Sequence, residues 1–305
     1  MSKASKVFNV AWQTKVENKS KPVFLCFFFL TRSMSFCLRN FPTLGKILKG
    51  IFSHLPQPEF IIKNSLGRWS VLPFNDSLTI SSDYFEEELK DWPGRATNRR
   101  IFIDIGANIG RYTVIAANNF NYSHILSIEA NPVTFKILKK NIFLNGIEGR
   151  VTAKQTAAGN REGKVMIQSD SDHLGGANIV NQQTGPATME NQALVNITTV
   201  DRIFLQERLN AKEVDFVKID VEGMECEVLE GMTSVLLNMT EGSGLMVEVS
   251  NESRVLDFLA KYGFERIESI SNDSLFIKQS KPQNKAVSKA SEWMGGLKKL
   301  LGKFF

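Results

Sequence analysis

Cysteine and histidine are scarce in this chain, with three of each in 305 residues. Cys26, Cys37 and Cys226 stand far apart and form no C-x-x-C pair. The sequence therefore writes in neither a zinc site nor a disulfide framework, and the thiols fit a reducing, cytoplasmic compartment. His54, His124 and His173 are too dispersed for a His-rich metal site, and no metal site is expected. A membrane-spanning run of about 20 apolar residues is also missing. The intensely apolar Val23–Leu30 is eight residues long, and no A-x-A cleavage signal follows it closely. Nor is the charge lopsided: 37 Lys and Arg against 32 Asp and Glu leave a formal +5, too mild an excess to read as a nucleic-acid footprint. At 43% hydrophobic and 23% charged, the composition is that of an ordinary globular protein.

The most informative stretch is Ile101–Arg111, IFIDIGANIGR. An apolar strand runs into Asp104, turns through Gly106 and Gly110, and enters a helix over 112–118. Strand, glycine turn and helix together make a cofactor cradle, with close backbone approach and free N–H groups at the helix start. A dinucleotide site wants G-x-G-x-x-G so that its second glycine admits a pyrophosphate. Asn108 holds that position here, and an acid precedes the first glycine. That pattern suits a cationic, phosphate-free cofactor, and S-adenosylmethionine is such a molecule. Asp104 is expected at its amino-acid end, by charge-assisted hydrogen bonds. A second strand, 125–130, ends in Glu129, nineteen residues past Gly110. An acid at that spacing accepts both ribose hydroxyls. The expected cofactor residues are Asp104, Gly106, Asn108, Gly110, Glu129 and Ala130.

Further on, the pattern alternates. A helix over Pro132–Leu144 stops at Asn145-Gly146, a strand follows at about 150–156, a helix at Asp201–Leu209, and a strand begins at Val214. The last of these, VDFVKIDVEG, delivers Asp220 and Glu222 to the C-terminal edge of the sheet, where ligands bind in parallel sheets. Lys218 lies two residues before Asp220 and shares its face; a buried lysine needs such a carboxylate partner. A helix over Glu225–Leu237, a strand over Gly244–Ser250 with Glu248 near its exit, a helix over Glu252–Tyr262 and a hairpin of 264–270 and 274–278 complete the core. The expected fold is α/β: a Rossmann-like, seven-stranded, mostly parallel sheet with an antiparallel closing hairpin and helices on both faces.

Organisation follows from the same pass. Residues 1–55 read as an extension, with Val23–Leu30 either buried or on a membrane surface and Phe41–Phe52 as a basic amphipathic helix. Residues 56–278 read as the catalytic domain: a cap over 56–97, with strands around Asn64–Gly67 and a helix from Ser82 or Asp83 to Trp92, then a core over 98–278. Within the cap, Glu86, Glu87 and Glu88 read as a solvated face. Within the core, 159–198 reads as a long insertion loop facing the substrate, with strands at Gly163–Ser169 and Val195–Val200 at its ends and His173 as a candidate base. Residues 279–305 read as a linker and a basic amphipathic helix over 286–305 whose aromatic face suits a membrane surface or a protein partner.

These residues resemble a known family. DIGANIG, Glu129 followed by Asn131-Pro132, TTVDRI at Thr198–Ile203, and above all VDFVKIDVEGMECEVLEG at Val214–Gly231 are similar to the FkbM-type methyltransferases, over residues 80–278. The resemblance implies S-adenosylmethionine-dependent O-methylation of a hydroxyl on a sugar, glycolipid, polysaccharide or similar product, with a hydroxylated small molecule or glycan as partner and no nucleic acid. On the matching motif, Asp220 is expected as an orienting or metal-assisted contact to the acceptor, Glu222 as its base, and Lys218 as their ion-pair partner. A nucleic-acid amine methyltransferase would show a [DNS]-P-P-[YFW] turn where Asp220–Gly223 stands. The alternatives are a non-catalytic module of the same fold, used as a scaffold at a membrane, and a methyltransferase acting on another acceptor, an amine or a nucleic acid.

Overall fold

The computed structural model describes residues 14–41, 43, 58–72, 75–168, 178–179, 192–249 and 252–280. Strand β1 (Lys15–Val16) leads into helix α1 (Lys21–Asn40), which carries the apolar Val23–Leu30. Phe24 and Phe28 of that run are buried, and Phe24 meets Phe60 edge-on with ring centroids 5.2 Å apart. The run thus packs on the protein itself, while Val23 and Phe29 stay exposed. Among the described residues no helix is long and apolar enough to cross a membrane. Strands β2 (Phe60–Lys63) and β3 (Arg68–Val71) form a hairpin, with β1 on the outer edge of β2. Its turn is held by Asn64 Oδ1, which accepts from the backbone N–H of Leu66 and Gly67 and from Trp69 Nε1. The expected basic helix at 41–52, apart from residues 41 and 43, and the tail at 286–305 lie outside the described residues.

A short helix α2 (Ser77–Ile80) follows the hairpin. The helix expected from Ser82 or Asp83 to Trp92 does not form; the chain turns repeatedly until a 3-10 turn at Trp92–Arg95. Glu86, at φ +47°, breaks the helical repeat. That left-handed conformation is unfavourable for a side chain with a Cβ.

The core then proceeds as β4 (Ile101–Ile105), α3 (Arg111–Asn118), β5 (His124–Glu129), α4 (Pro132–Leu144) and β6 (Val151–Gln155). After it come β7 (Ala157–Ala158), β8 (Gly163–Gln168), β9 (Asn178–Ile179) and β10 (Gln192–Thr198). Helix α5 (Val200–Glu207), β11 (Val214–Ile219), α6 (Glu225–Glu230), α7 (Thr233–Asn238), β12 (Gly244–Glu248), α8 (Glu252–Lys261), β13 (Phe264–Ile270) and β14 (Asp273–Lys278) close the domain.

The main sheet has the order β13-β14-β12-β11-β4-β5-β6, parallel from β12 to β6 and antiparallel at β14. Its strands are apolar on both faces because helices cover both. Phe102 and Phe216 stack in parallel at 5.8 Å on the face covered by α3, α4 and the N-terminal hairpin. Ile101, Ile103, Ile105 and Val217 fill the other, beneath α5, α6, α7 and α8.

Two sequence expectations are corrected. The single helix over 225–237 is broken at Gly231–Met232. Gly231 packs so closely on Gly159 that a Cβ would lie 1.9 Å from its carbonyl oxygen. Asp201, from another segment, then caps α7 by accepting from the N–H groups of Ser234 and Val235. The second correction concerns 159–198. Where described, it is not an irregular flap: β8, β9 and β10 join β7 in a four-stranded sheet of order β7-β10-β8-β9. Val165, Ile167, Val195 and Ile197 form its small core. Residues 169–177 and 180–191, including His173, lie outside the described residues.

Candidate active site

A cavity of about 290 Å³ opens at the C-terminal edge of the parallel strands. Its floor is made by the chain turning off β4, β5 and β11, and its far wall by Ile167 and Ala157–Ala158 of the small sheet. The turning segment before β4 covers one side with Phe85 and Glu86. Seven carboxylates and two cations line it.

The glycine turn explains itself geometrically. Gly106 (φ +74°) sits where the loops after β4 and β11 cross, and a Cβ there would lie 1.7 Å from the Asp220 carbonyl oxygen. Asn108 is also left-handed (φ +52°), and its N–H donates to Glu129 Oε2 at 2.8 Å. Asparagine tolerates that conformation better than most residues. Gly110 (φ +91°) does not line the cavity; it starts α3, and its missing side chain makes room for Leu138.

Glu129 is nearly buried at the tip of β5. Its Oε1 accepts from Asn131 N–H and from Thr134 Oγ1, each at 2.8 Å. Burial raises its pKa, and those hydrogen bonds with the one from Asn108 offset part of the rise. Oε2 accepts from Asn108 N–H and keeps capacity for a further donor. Ala130 lines the cavity beside it. Asp104, by contrast, lies beneath the floor, fully buried. Its Oδ2 accepts from Thr113 Oγ1 at 2.6 Å, and its Oδ1 has no hydrogen-bond partner.

Lys218 lies next to Asp104 across the β11–β4 register and is 4% exposed. Its Nζ donates to Asp220 Oδ2 at 2.9 Å and stands 5.1 Å from the centroid of the Tyr112 ring. Burial alone would discharge it, but Asp220, Asp104 and Glu86 outweigh burial and keep its pKa above the ordinary lysine value. Asp220 is the reciprocal case: burial would raise its pKa, yet Lys218 and a hydrogen bond with Glu248 hold it below the usual carboxylate value. The carboxylates of Asp220, Glu222 and Glu248 converge, with oxygens within 4.8 Å of one another.

Glu222 is left-handed (φ +51°), a second strained acid facing the cavity. Such strain persists only where the surroundings impose it, and it concentrates at functional sites. At the start of α6, Glu225 accepts from Gly223 N–H at 2.8 Å. Burial and the negative neighbours Asp220 and Glu225 raise the pKa of Glu222.

Sequence reading missed several members of this site. Glu86 is half-buried and lines the cavity, not part of a solvated face; burial raises its pKa. Arg111 pins the segment carrying it by donating to the carbonyls of Ile80, Ser82 and Phe85. Tyr112 contributes a buried hydroxyl beside the Glu86 carboxylate. Asp273, read only as part of a hairpin turn, pairs with Glu248 across β12 and β14 and brings its carboxylate to the same edge. Only the hairpin register could have signalled it, since a turn acid carries no periodicity.

Crowded acids have a measurable consequence. Burial and then Asp220 push Glu248 up to about 8, and burial and then Glu86 push Asp273 up to about 7, both far above their ordinary values. The folded protein therefore holds protons that the unfolded chain has released. This contribution to stability is complete below the unfolded pKa values and is lost as pH rises through the folded ones. The ligand-free protein is expected to melt at progressively lower temperature as pH rises from about 5 to about 8.5, and Glu248→Gln to flatten that decline. Calorimetric melts at several pH values check it; a wild-type midpoint that does not fall contradicts the crowding.

A family model described as the methyltransferase FkbM domain matches residues 104–266. Methyltransferase 1 of Beauveria bassiana is 29% identical over 143 residues, covering 43% of this chain and 57% of that protein. The hexuronic acid methyltransferase AglP of Haloferax volcanii is 28% identical over 133 residues, covering 44% of this chain and 50% of that one. The alignments thus take in only about half the length of these two curated relatives. The crystal structure of an FkbM methyltransferase from Methylobacillus flagellatus superposes with a TM-score of 0.42 at 13% identity, over 58% of this chain and 43% of that one. With more than half of its length matched by the family model, from the β4 acid through the β11 edge to the closing hairpin, the chain belongs to the FkbM methyltransferase family.

Proposed function

We propose that the protein transfers a methyl group from S-adenosylmethionine to a hydroxyl of a sugar, glycolipid, polysaccharide or related natural product. The observation that carries this reading is Glu129, held at the strand tip by three hydrogen bonds, beside a turn whose second glycine position is Asn108. That arrangement accepts ribose hydroxyls and offers no cradle for a pyrophosphate. The surplus of carboxylates also repels a polyphosphate or a nucleic-acid backbone and favours a sulfonium. A relative named for hexuronic acid supports a sugar acceptor.

The residues present fit that cofactor. Glu129 and Ala130 would hold its ribose end, and Asn108, with a buried and unpartnered Oδ1, its neighbourhood. The unpartnered Asp104 Oδ1 lies under the edge where the amino-acid end would rest. When bound, S-adenosylmethionine supplies an electrophilic methyl carbon on a sulfonium and leaves as a neutral thioether. The protein's own task is to place an acceptor oxygen in line with that carbon and to take its proton. Asp220, fixed by Lys218 and Glu248, orients the acceptor hydroxyl. Glu222, whose pKa is raised toward the working range of a base, receives the proton as the carbon–oxygen bond forms.

Two measurements test this reading. Titration calorimetry is expected to show S-adenosylmethionine binding that weakens by about 10- to 100-fold in Glu129→Ala, since a charged hydrogen-bond acceptor is lost. Unchanged affinity removes the ribose assignment. With labelled cofactor and a cell extract, Glu222→Gln is expected to slow labelling by about 10² to 10⁴ while cofactor affinity stays as in the wild type. Firm cofactor binding by the wild type without any labelling would instead favour a scaffold.

A further inference from the structure

The mild overall charge conceals a steep division along the chain. Residues 1–75 carry eleven Lys and Arg against two acids, Glu17 and Glu59. Residues 279–305 carry six Lys against Glu292, while residues 76–278 carry 20 Lys and Arg against 29 acids. Both ends are thus basic and the part that holds the cavity is acidic.

Some of the N-terminal charge is built into the fold. Lys15 stands opposite Lys63 across β1 and β2, and Lys63 opposite Arg68 across β2 and β3, so three exposed cations form a row across the strands. Like charges directly opposite one another are destabilising, and an external anion relieves them. Glu17 relieves Arg68, with its Oε2 2.6 Å from Nε, and Glu59 ion-pairs with Lys140. Both acids are therefore engaged, while Lys15, Lys63 and Lys19 stand exposed; Lys19 lies 5.6 Å from the centroid of the Phe60 ring, next to α1.

Helix α1 rests on the protein through the side that carries Phe24 and Phe28. On its other side Pro22, Val23, Cys26 and Phe29 are exposed, Val23 by 42% and Phe29 by 40%. At 100° per residue these four fall within one arc of about 120°. A helix on a protein surface ordinarily turns polar residues outward. Here no charged residue stands between Lys21 and Arg32. The chain beyond α1 begins with the exposed Phe41 and continues as the basic, apolar sequence of 41–52.

We propose that this N-terminal region docks on an anionic lipid surface. The Pro22–Phe29 face of α1 lies in the plane of the interface, and Lys15, Lys19, Lys21 and Lys63 meet the headgroups. A nucleic-acid backbone would satisfy the cations and leave the apolar face in water. A lipid surface satisfies both. Docking is in-plane, since among the described residues no helix is long and apolar enough to cross a membrane. The acidic remainder of the chain is repelled by the same surface, which favours one orientation of the molecule. This inference goes beyond methyl transfer and does not depend on it.

The test is co-sedimentation of the full chain with vesicles of phosphatidylcholine alone, or with about one-third phosphatidylserine. Binding to the anionic vesicles is expected to exceed binding to the neutral ones by about tenfold or more. It should weaken as salt rises from about 0.1 to about 0.5 M. Val23→Glu with Cys26→Glu should lower it by about tenfold, because the apolar face is lost. Lys15→Glu should also lower it by about tenfold, while its melting midpoint stays or rises, because the new acid faces Lys63. A merely structural Lys15 would not separate those two readouts. None of these residues lines the cavity, so S-adenosylmethionine affinity should stay as in the wild type. Equal binding to both vesicles, or binding to neither, overturns the proposal, and this arm needs only wild-type protein. So does anionic-vesicle binding that both variants leave intact. RNA that displaces the wild type from the vesicles, or a lipid-free dimer that Val23→Glu with Cys26→Glu dissociates, overturns it as well.

Discussion

Gly106→Ala is expected to destabilise the protein by about 3–5 kcal/mol and to abolish cofactor binding in whatever fraction stays folded. Two penalties coincide there. The residue has φ +74°, which costs an alanine conformational energy, and the new Cβ would fall 1.7 Å from the Asp220 carbonyl oxygen. Neither loop can step aside cheaply. Gly106 N–H donates to the Ile128 carbonyl at 3.0 Å, and Asp220 N–H donates to the Ile105 carbonyl at 3.1 Å. Relief of the clash would break one of these and shift the edge on which Asp220 and Glu129 stand. Gly149→Ala is the control, since nothing lies within 4 Å of its added Cβ and its φ is ordinary. It should change stability by no more than about 0.5 kcal/mol. Chemical denaturation of both variants checks the contrast; a Gly106→Ala protein as stable as the control would mean that the two loops do not cross as described.

The second large effect concerns the buried ion pair. Asp220→Asn removes the close counter-ion of an ammonium that is 4% exposed, and breaking such a pair from one side typically costs about 3–5 kcal/mol. Asp104 and Glu86 also stabilise that ammonium, which places the expected loss at the lower end, about 3 kcal/mol. Methyl transfer should fall by about 10² to 10³ as the acceptor loses its orienting carboxylate. Replacing both partners separates the two effects. Lys218→Met with Asp220→Asn removes both charges of the close pair and should regain part of the stability, the rest being lost because the buried Asp104 is left without its cation, while activity stays low. A double variant that recovers activity along with stability would show that Asp220 acts only as the counter-ion of Lys218, and that its place at the reacting edge is incidental.

These effects trace to different levels of information. The alternation of apolar runs with glycine stops made the sheet and its closing hairpin legible, because a parallel sheet buried on both faces needs long apolar strands and helices between them. Spacing alone also placed Lys218 and Asp220 on one face, and the ion pair between them follows from strand geometry. The break between α6 and α7 was not legible, because its cause is a carbonyl of Gly159 seventy-odd residues away and a cap supplied by Asp201. The small sheet was legible only in part: strands near 163–169 and 195–200 could be read, but their pairing with each other and with the two-residue β7 and β9 comes from contacts distant in the chain.

The sequence by itself determined the parallel scaffold, the strand tips that carry Glu129 and Asp220, and the want of a second glycine at Asn108. All of these are local, since periodicity and turn chemistry act within a few residues. Only the tertiary structure decided which acids share the cavity. It took Asp104 under the floor, moved Gly110 behind it, and brought Glu86, Tyr112, Glu248 and Asp273 together from four separate segments. Electrostatic crowding of that kind depends on distances through space, to which neighbours in the chain give no guide.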